Sequence, residues 1–183
     1  MLTVTRSCLA RGSTGGQNQK VPLLEQNRGR WDQLLIRRGF TALLRAQGLG
    51  GPPGPYVLQA AIAACHARAR DAAETDWKQI ALLYQGLAAL TPSPVVELNR
   101  AVAVAMAFGP ERGLEVVDGL AAEPALAGYH HLPSVRGDLL ARLGRDGEAA
   151  AEFRRAAALT RNIPERTVLL RRAAECDARR RHD

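Results

Sequence analysis

The sequence predicts an all-α fold, a right-handed array of about eight short helices stacked as hairpins. Three observations point there. Apolar residues make up 46% of the 183 residues but aromatic ones only 4%, so the core must be built from Ala, Leu and Val. Such a composition suits closely packed helices and serves a sandwich or barrel poorly. Apolar residues recur at spacings of three and four, and few segments show the period-two alternation of strands. Gly- and Pro-bearing turns separate these periodic stretches at short intervals.

Residues 1–20 include GSTGGQNQK and are expected to form a flexible lead-in to a helical domain over 21–183. The first helix follows Trp31. Its apolar face is read as Leu34, Leu35, Phe40, Leu43 and Leu44, closed by Gly48, Gly50 and Gly51. A second helix is expected from Tyr56 to Ala69, with alanines that allow close helix–helix approach. Thr75 is read as the N-cap of a third, which carries Trp77, Ile80, Leu83, Tyr84, Leu87 and Leu90 inward. The TPSP stretch ends it and starts a fourth, Pro94 to Phe108, with Ser93 as N-cap and Pro94 at the first helical position. The remaining helices are expected over Pro110 to Leu120, Tyr129 to Leu143, and Gly147 to Leu159, with an eighth after Asn162. Glu165, three residues past Asn162, suggests a capping box.

Charge and cysteine usage bound the partners and the compartment. The 25 basic and 18 acidic residues give +7, with a pI near 10.1. That balance favours acidic partners. However, the arginines are spread over many helices, and the densest run, Arg179 to Arg181, is read as a solvated chain end rather than a nucleic-acid contact. Cys8, Cys65 and Cys176 are odd in number and far apart, as reduced cytosolic thiols are. No signal peptide or membrane span is expected, because Arg6 and Ser7 interrupt the only early apolar run. The expected location is the cytoplasm.

No constellation of catalytic groups stands out. His130 and His131 are adjacent, and neighbours on a helix point about 100° apart, so a structural or surface role is expected and no metal site. Cys65-His66 has the residue types of a nucleophile and base, but Cys65 falls on an apolar face, where it acts as a small hydrophobe. Asp71, Glu74 and Asp76 suit a loop and a helix start. The glycine clusters lack the strand and the Lys-Ser/Thr pair of a phosphate-binding loop. The chain is therefore read as a non-enzyme without cofactor.

Paired short helices invite a repeat test. Gly137, Ala149, Phe153 and Ala156 fall on the small and large positions of a tetratricopeptide (TPR) unit, whose period is about 34 residues, and Leu140 stands where its Tyr would be. Arg136, Leu140 and Arg161 depart from the pattern, and an earlier unit starting near Val95 is degenerate. Stacked units of this kind bury small-residue faces on one another and leave a concave surface.

Four stretches carry a sharper likeness: LLEQNRGRWDQLLI, GPYVLQAAIAACHA, DWKQIALLYQGLAALTPSPVVELNRAVAVA and AGYHHLPSVRGDLLARLGR. Together they resemble the TPR-like C-terminal extension of bacterial ECF-type RNA polymerase sigma factors, over about residues 20–175. In that family the first motif has one more acidic residue, and here Asn27 replaces another. The helical domains that read promoters in such factors have no counterpart before residue 20. The resemblance implies a regulatory module that docks to sigma domains, core polymerase or a signalling protein, without specific DNA binding of its own. The alternative is a free-standing TPR-type scaffold unrelated to transcription. Candidate protein-binding residues are Glu25, Gln26, Arg28, Trp31 and Asp32 in the first motif, and Asn99 and Arg100, which interrupt an apolar helix. Each has a plain alternative: Trp31 as the anchor of a helix start, Asn99 bonding a neighbouring helix, and Arg100 reaching solvent.

Overall fold

The computed structural model describes residues 26–181. The expected flexible segment 1–20, Glu25 and Cys8 lie outside that range. The described residues form an all-α array of helical hairpins. A 3-10 turn at Arg28–Arg30 leads into α1 (Gln33–Gly48), α2 (Pro55–Arg68) and α3 (Trp77–Leu90). Then come α4 (Pro94–Phe108), α5 (Pro110–Asp118), a 3-10 turn at Pro124–Leu126, α6 (His131–Arg142), α7 (Asp146–Leu159) and α8 (Ile163–Arg180). The chain divides into two compact units at Pro92/Ser93, so the first unit holds α1 to α3 and the second α4 to α8.

In the first unit, α1 packs on α2 and α2 on α3. Leu58 and Ile62 of α2, with Trp77, Ile80, Tyr84 and Leu87 of α3, are buried at the spacing the sequence suggested. Two expectations are corrected here. The N-cap of α3 is Asp76, whose carboxylate accepts from the Gln79 N–H at 2.9 Å, and Thr75 is buried one residue earlier. The apolar face read for α1 is mostly uncovered: Leu43 is buried, but Leu34, Leu35 and Leu44 are 54%, 41% and 63% exposed. The leucines are spread around the helix, and among the described residues α2 is the one helix packed extensively on it, so one side is covered.

In the second unit each helix packs on the next, around Leu98, Ala101, Ala105, Leu114, Val117, Leu139, Leu140, Ala149, Phe153 and Ala156. α6 ends in a Schellman motif. Gly144, at φ 72°, donates to the Ala141 carbonyl, and the Arg145 N–H donates to that of Leu140. Asn162 caps α8, accepting from the Glu165 N–H at 3.3 Å. The reciprocal half of the expected capping box is replaced: the Asn162 N–H donates to the Thr160 hydroxyl, and that hydroxyl donates to Glu165 Oε2 at 3.0 Å. The first residue of the arginine run at the end of α8 is paired, while Arg180 and Arg181 are exposed. Arg179 Nη2 meets Asp146 Oδ1 at 2.6 Å, tying the last turn of α8 to the first turn of α7. Arg154 pairs with Asp177 along the same helix pair.

Small residues set the helix spacing. A Cβ on Gly113 would overlap the Ala105 side chain and lie 2.9 Å from the Ala101 carbonyl oxygen, so α5 rests almost directly on the backbone of α4. A Cβ on Gly137 would lie 3.0 Å from the Phe153 ring, which is the contact the TPR pattern implies between a unit's two helices. Gly39, in the interior of α1, meets nothing within 4 Å. Two glycine-to-alanine substitutions should therefore differ in sign. G113A is expected to lose about 1–3 kcal/mol, because overpacking against backbone outweighs the better helix propensity of Ala. G39A is expected to gain about 0.5–1 kcal/mol. Urea unfolding of both variants checks this.

Candidate functional site

The motif from Gln26 to Asp32 folds as a clasp on the first unit. Arg28 is buried, and its guanidinium donates to the His66 carbonyl at 2.9 Å, the Ala69 carbonyl at 3.3 Å and Thr75 Oγ1 at 3.0 Å. The last carbonyls of a helix have no partner within it, and Arg28 supplies one to the end of α2. Burial pulls its pKa down, and Asp71 opposes that shift. Trp31 is buried beside it, with the Arg28 guanidinium 5.5 Å from the ring centroid and Nε1 donating to Gln26 Oε1 at 3.3 Å. Asp32 caps α1, accepting from the N–H groups of Leu34 and Leu35 at 2.9 and 3.0 Å.

Thus Arg28, Trp31 and Asp32 spend their polar groups inside the first unit, and Gln26 is the exposed candidate among them. Asn99 and Arg100 belong to the second unit. Arg100 Nε meets Glu97 Oε2 at 2.7 Å along α4, and Asn99 is half-buried. The apolar surface that the sequence reading missed is on α1, at Leu34, Leu35 and Leu44, with Leu49 and Tyr56 each 85% exposed just beyond it. Periodicity marks residues able to face a core. It does not say whether a neighbour covers them.

The pairings considered for catalysis are used structurally. Burial, reinforced by Asp76, pushes the Cys65 thiol up, the opposite of what an activated nucleophile needs. The buried His66 ring makes an edge contact with Trp77, with centroids 5.3 Å apart, and neither nitrogen has a hydrogen-bond partner among the described residues. Burial, with Arg28 adding to it, lowers its pKa to about 4. Asp71 accepts from the N–H groups of Ala73 and Glu74, and Glu74 from that of Arg70, so these acids shape the loop before α3. In the second unit, Arg136 bridges Asp118 at 2.8 Å and Glu152 at 3.0 Å, within a cleft of about 310 Å³ lined also by Val117, Leu132 and Arg155.

The expected divergence of His130 and His131 is corrected. His130 is the N-cap residue of α6 and His131 its first residue, and their ring centroids are 4.0 Å apart. Glu165, from α8, brings Oε2 to 3.1 Å from His130 Nε2. His130 has helical backbone angles (φ −55°, ψ −21°), so the rings meet through their side-chain directions at the open first turn. The carboxylate arrives from another helix, 34 residues on in number from His131.

A protein of Rhizobium meliloti (strain 1021), described as uncharacterized, is 48% identical over 149 residues. The match takes in 81% of this chain and 34% of that protein, so the chain spans about a third of its relative's length. No family model matches the chain, and no solved structure does.

Two predictions follow the clasp. Substituting Arg28 by Met should destabilise the first unit by about 2–4 kcal/mol, since two carbonyls and a hydroxyl lose their buried donor. R28K should recover little, because one ammonium cannot reproduce the planar fork. Thermal unfolding followed by circular dichroism measures both. His66 has a folded-state pKa below its unfolded value, so its neutral form is favoured by folding. As pH falls from 6.5 toward 4, the unfolded chain takes up a proton that the native ring refuses, and stability is lost. H66F should be near neutral at pH 7, and its loss between pH 7 and pH 5 should be smaller than wild type's by about 2 kcal/mol.

Proposed function

We propose that this chain is a non-catalytic, cytoplasmic protein-interaction module, akin to the C-terminal extension of ECF sigma factors, that docks to sigma domains and so adjusts their engagement with polymerase. The observation that carries this reading is α1: its leucines at 34, 35 and 44 are exposed beside a start that Arg28 and Trp31 hold rigidly. Exposed apolar residues gathered on one helix mark a surface for a protein partner. Two further features support it. The thiols of Cys65 and Cys176 are pushed up by burial rather than activated, and Asp71 is committed to backbone N–H groups. The Rhizobium relative has ample length outside the matched segment for further domains. The contact would be by apolar side chains, with Gln26 and Arg30 at its polar rim.

The test is co-purification of the full chain with sigma domains, alone and with core polymerase. Binding to the sigma domains is expected, weakened at least tenfold when Leu34 and Leu44 are both replaced by Ser. Those residues are exposed, so the folded unit should be little affected. Absence of binding in every combination would sink the reading. It would leave the free-standing scaffold, which the Gly137–Phe153 contact of a TPR-like unit favours.

A further inference from the structure

The grouping of His130, His131 and Glu165 goes beyond a docking role. Each residue is half-buried and offers one ligand atom, and the three atoms lie within 4.8 Å of one another. From this arrangement we propose that the mouth of α6 and the first turn of α8 form a binding site for a divalent transition-metal ion of the zinc class. The ligands are one nitrogen from each histidine and one carboxylate oxygen.

The separation of His130 from Glu165 suits such an ion. Zinc binds His nitrogen at about 2.0–2.1 Å and carboxylate oxygen at about 2.0–2.2 Å, so two ligands of a tetrahedral ion stand about 3.3 Å apart. His130 Nε2 and Glu165 Oε2 are 3.1 Å apart. That nitrogen is sealed from solvent, yet it makes no hydrogen bond among the described residues, because its approach to the carboxylate is off-line for one. Two groups at ligand-to-ligand spacing without a proper hydrogen bond between them fit a shared cation better than an ordinary pair.

The carboxylate is also held in place. Thr160, itself buried, donates its hydroxyl to Glu165 Oε2 at 3.0 Å, and the Asn162 cap fixes the Glu165 backbone. Partners behind a metal ligand orient it and sharpen affinity. Tyr129 packs edge-on to His131 with ring centroids 5.0 Å apart, restricting that imidazole. The positive ends of α6 and α8 oppose a cation here, so the ligands must outweigh them. A soft imidazole pair with one carboxylate selects Zn²⁺ or a similar ion over Mg²⁺ or Ca²⁺, which prefer oxygen. Three protein ligands leave a coordination position for water or for a side chain of another protein.

The experiment uses the full, untagged chain under reducing conditions, with Zn²⁺ and Co²⁺ as probes. Calorimetric titration should show a single Zn²⁺ site, and Co²⁺ should give the visible band of a low-symmetry site. Zinc should raise the unfolding temperature, and EDTA should reverse the rise. H131Q and E165Q should each weaken Zn²⁺ binding at least tenfold, while T160V should weaken it less. A variant carrying C8S, C65S and C176S together should leave it unchanged, separating the site from thiol binding. If one of the two ligand variants misfolds, the other still decides. No saturable binding, equal affinity in E165Q or H131Q and wild type, or loss of binding in the cysteine variant would each overturn the proposal.

Discussion

Where Gly113 meets Ala101 and Ala105, α4 and α5 come together with almost no side chain between their backbones. A chain with 4% aromatic residues cannot fill wide interhelical gaps, so its helices must sit close, and close approach restricts which residues can face each other. The buried alanines at 101, 103, 105, 149, 150, 156 and 157 are the result. Large side chains are placed singly, as with Phe153 between Gly137 and the Arg172 guanidinium, which lies 4.3 Å from its ring centroid. Arg172 also pairs with Asp138, so one residue of α8 closes over the aromatic ring and reaches α6.

Polar residues act mainly as fasteners at helix ends. Arg28 serves the end of α2, Asp32 and Asp76 the starts of α1 and α3, and Arg179 with Asp146 joins the end of α8 to the start of α7. Helix ends carry orphan backbone groups, and short helices have proportionally more ends. An array of helices of 9 to 18 residues therefore needs many such fasteners. This accounts for part of the abundance of arginine without invoking nucleic acid.

The all-α class and nearly every helix were legible from periodicity and turn residues. Pro94, Pro110 and Gly144 marked boundaries because their backbone chemistry is local. What was not legible depended on contact between distant segments. Arg28 reaches residues about 40 positions away, and no local pattern around the motif announces that clasp. Asp76 displaced Thr75 as cap because the Thr75 hydroxyl is taken by Arg28. The leucines of α1 looked like core, since spacing cannot register that among the described residues only α2 packs extensively on that helix. Likewise, His130 and His131 meet Glu165 because of the course of α8, which local spacing around the histidines does not reveal.

The lone buried residue of α1, Leu43, has a dynamic consequence. A helix with one helix packed along it and a Gly-Gly-Pro-Pro joint at its end can open without disturbing α2 and α3. Its amide protons should exchange with solvent through small local openings rather than through unfolding of the whole unit. A ligand seated on α1 would quench those openings. Part of its binding free energy would then go into ordering the helix, and the affinity of α1 for any partner would respond to changes in that joint.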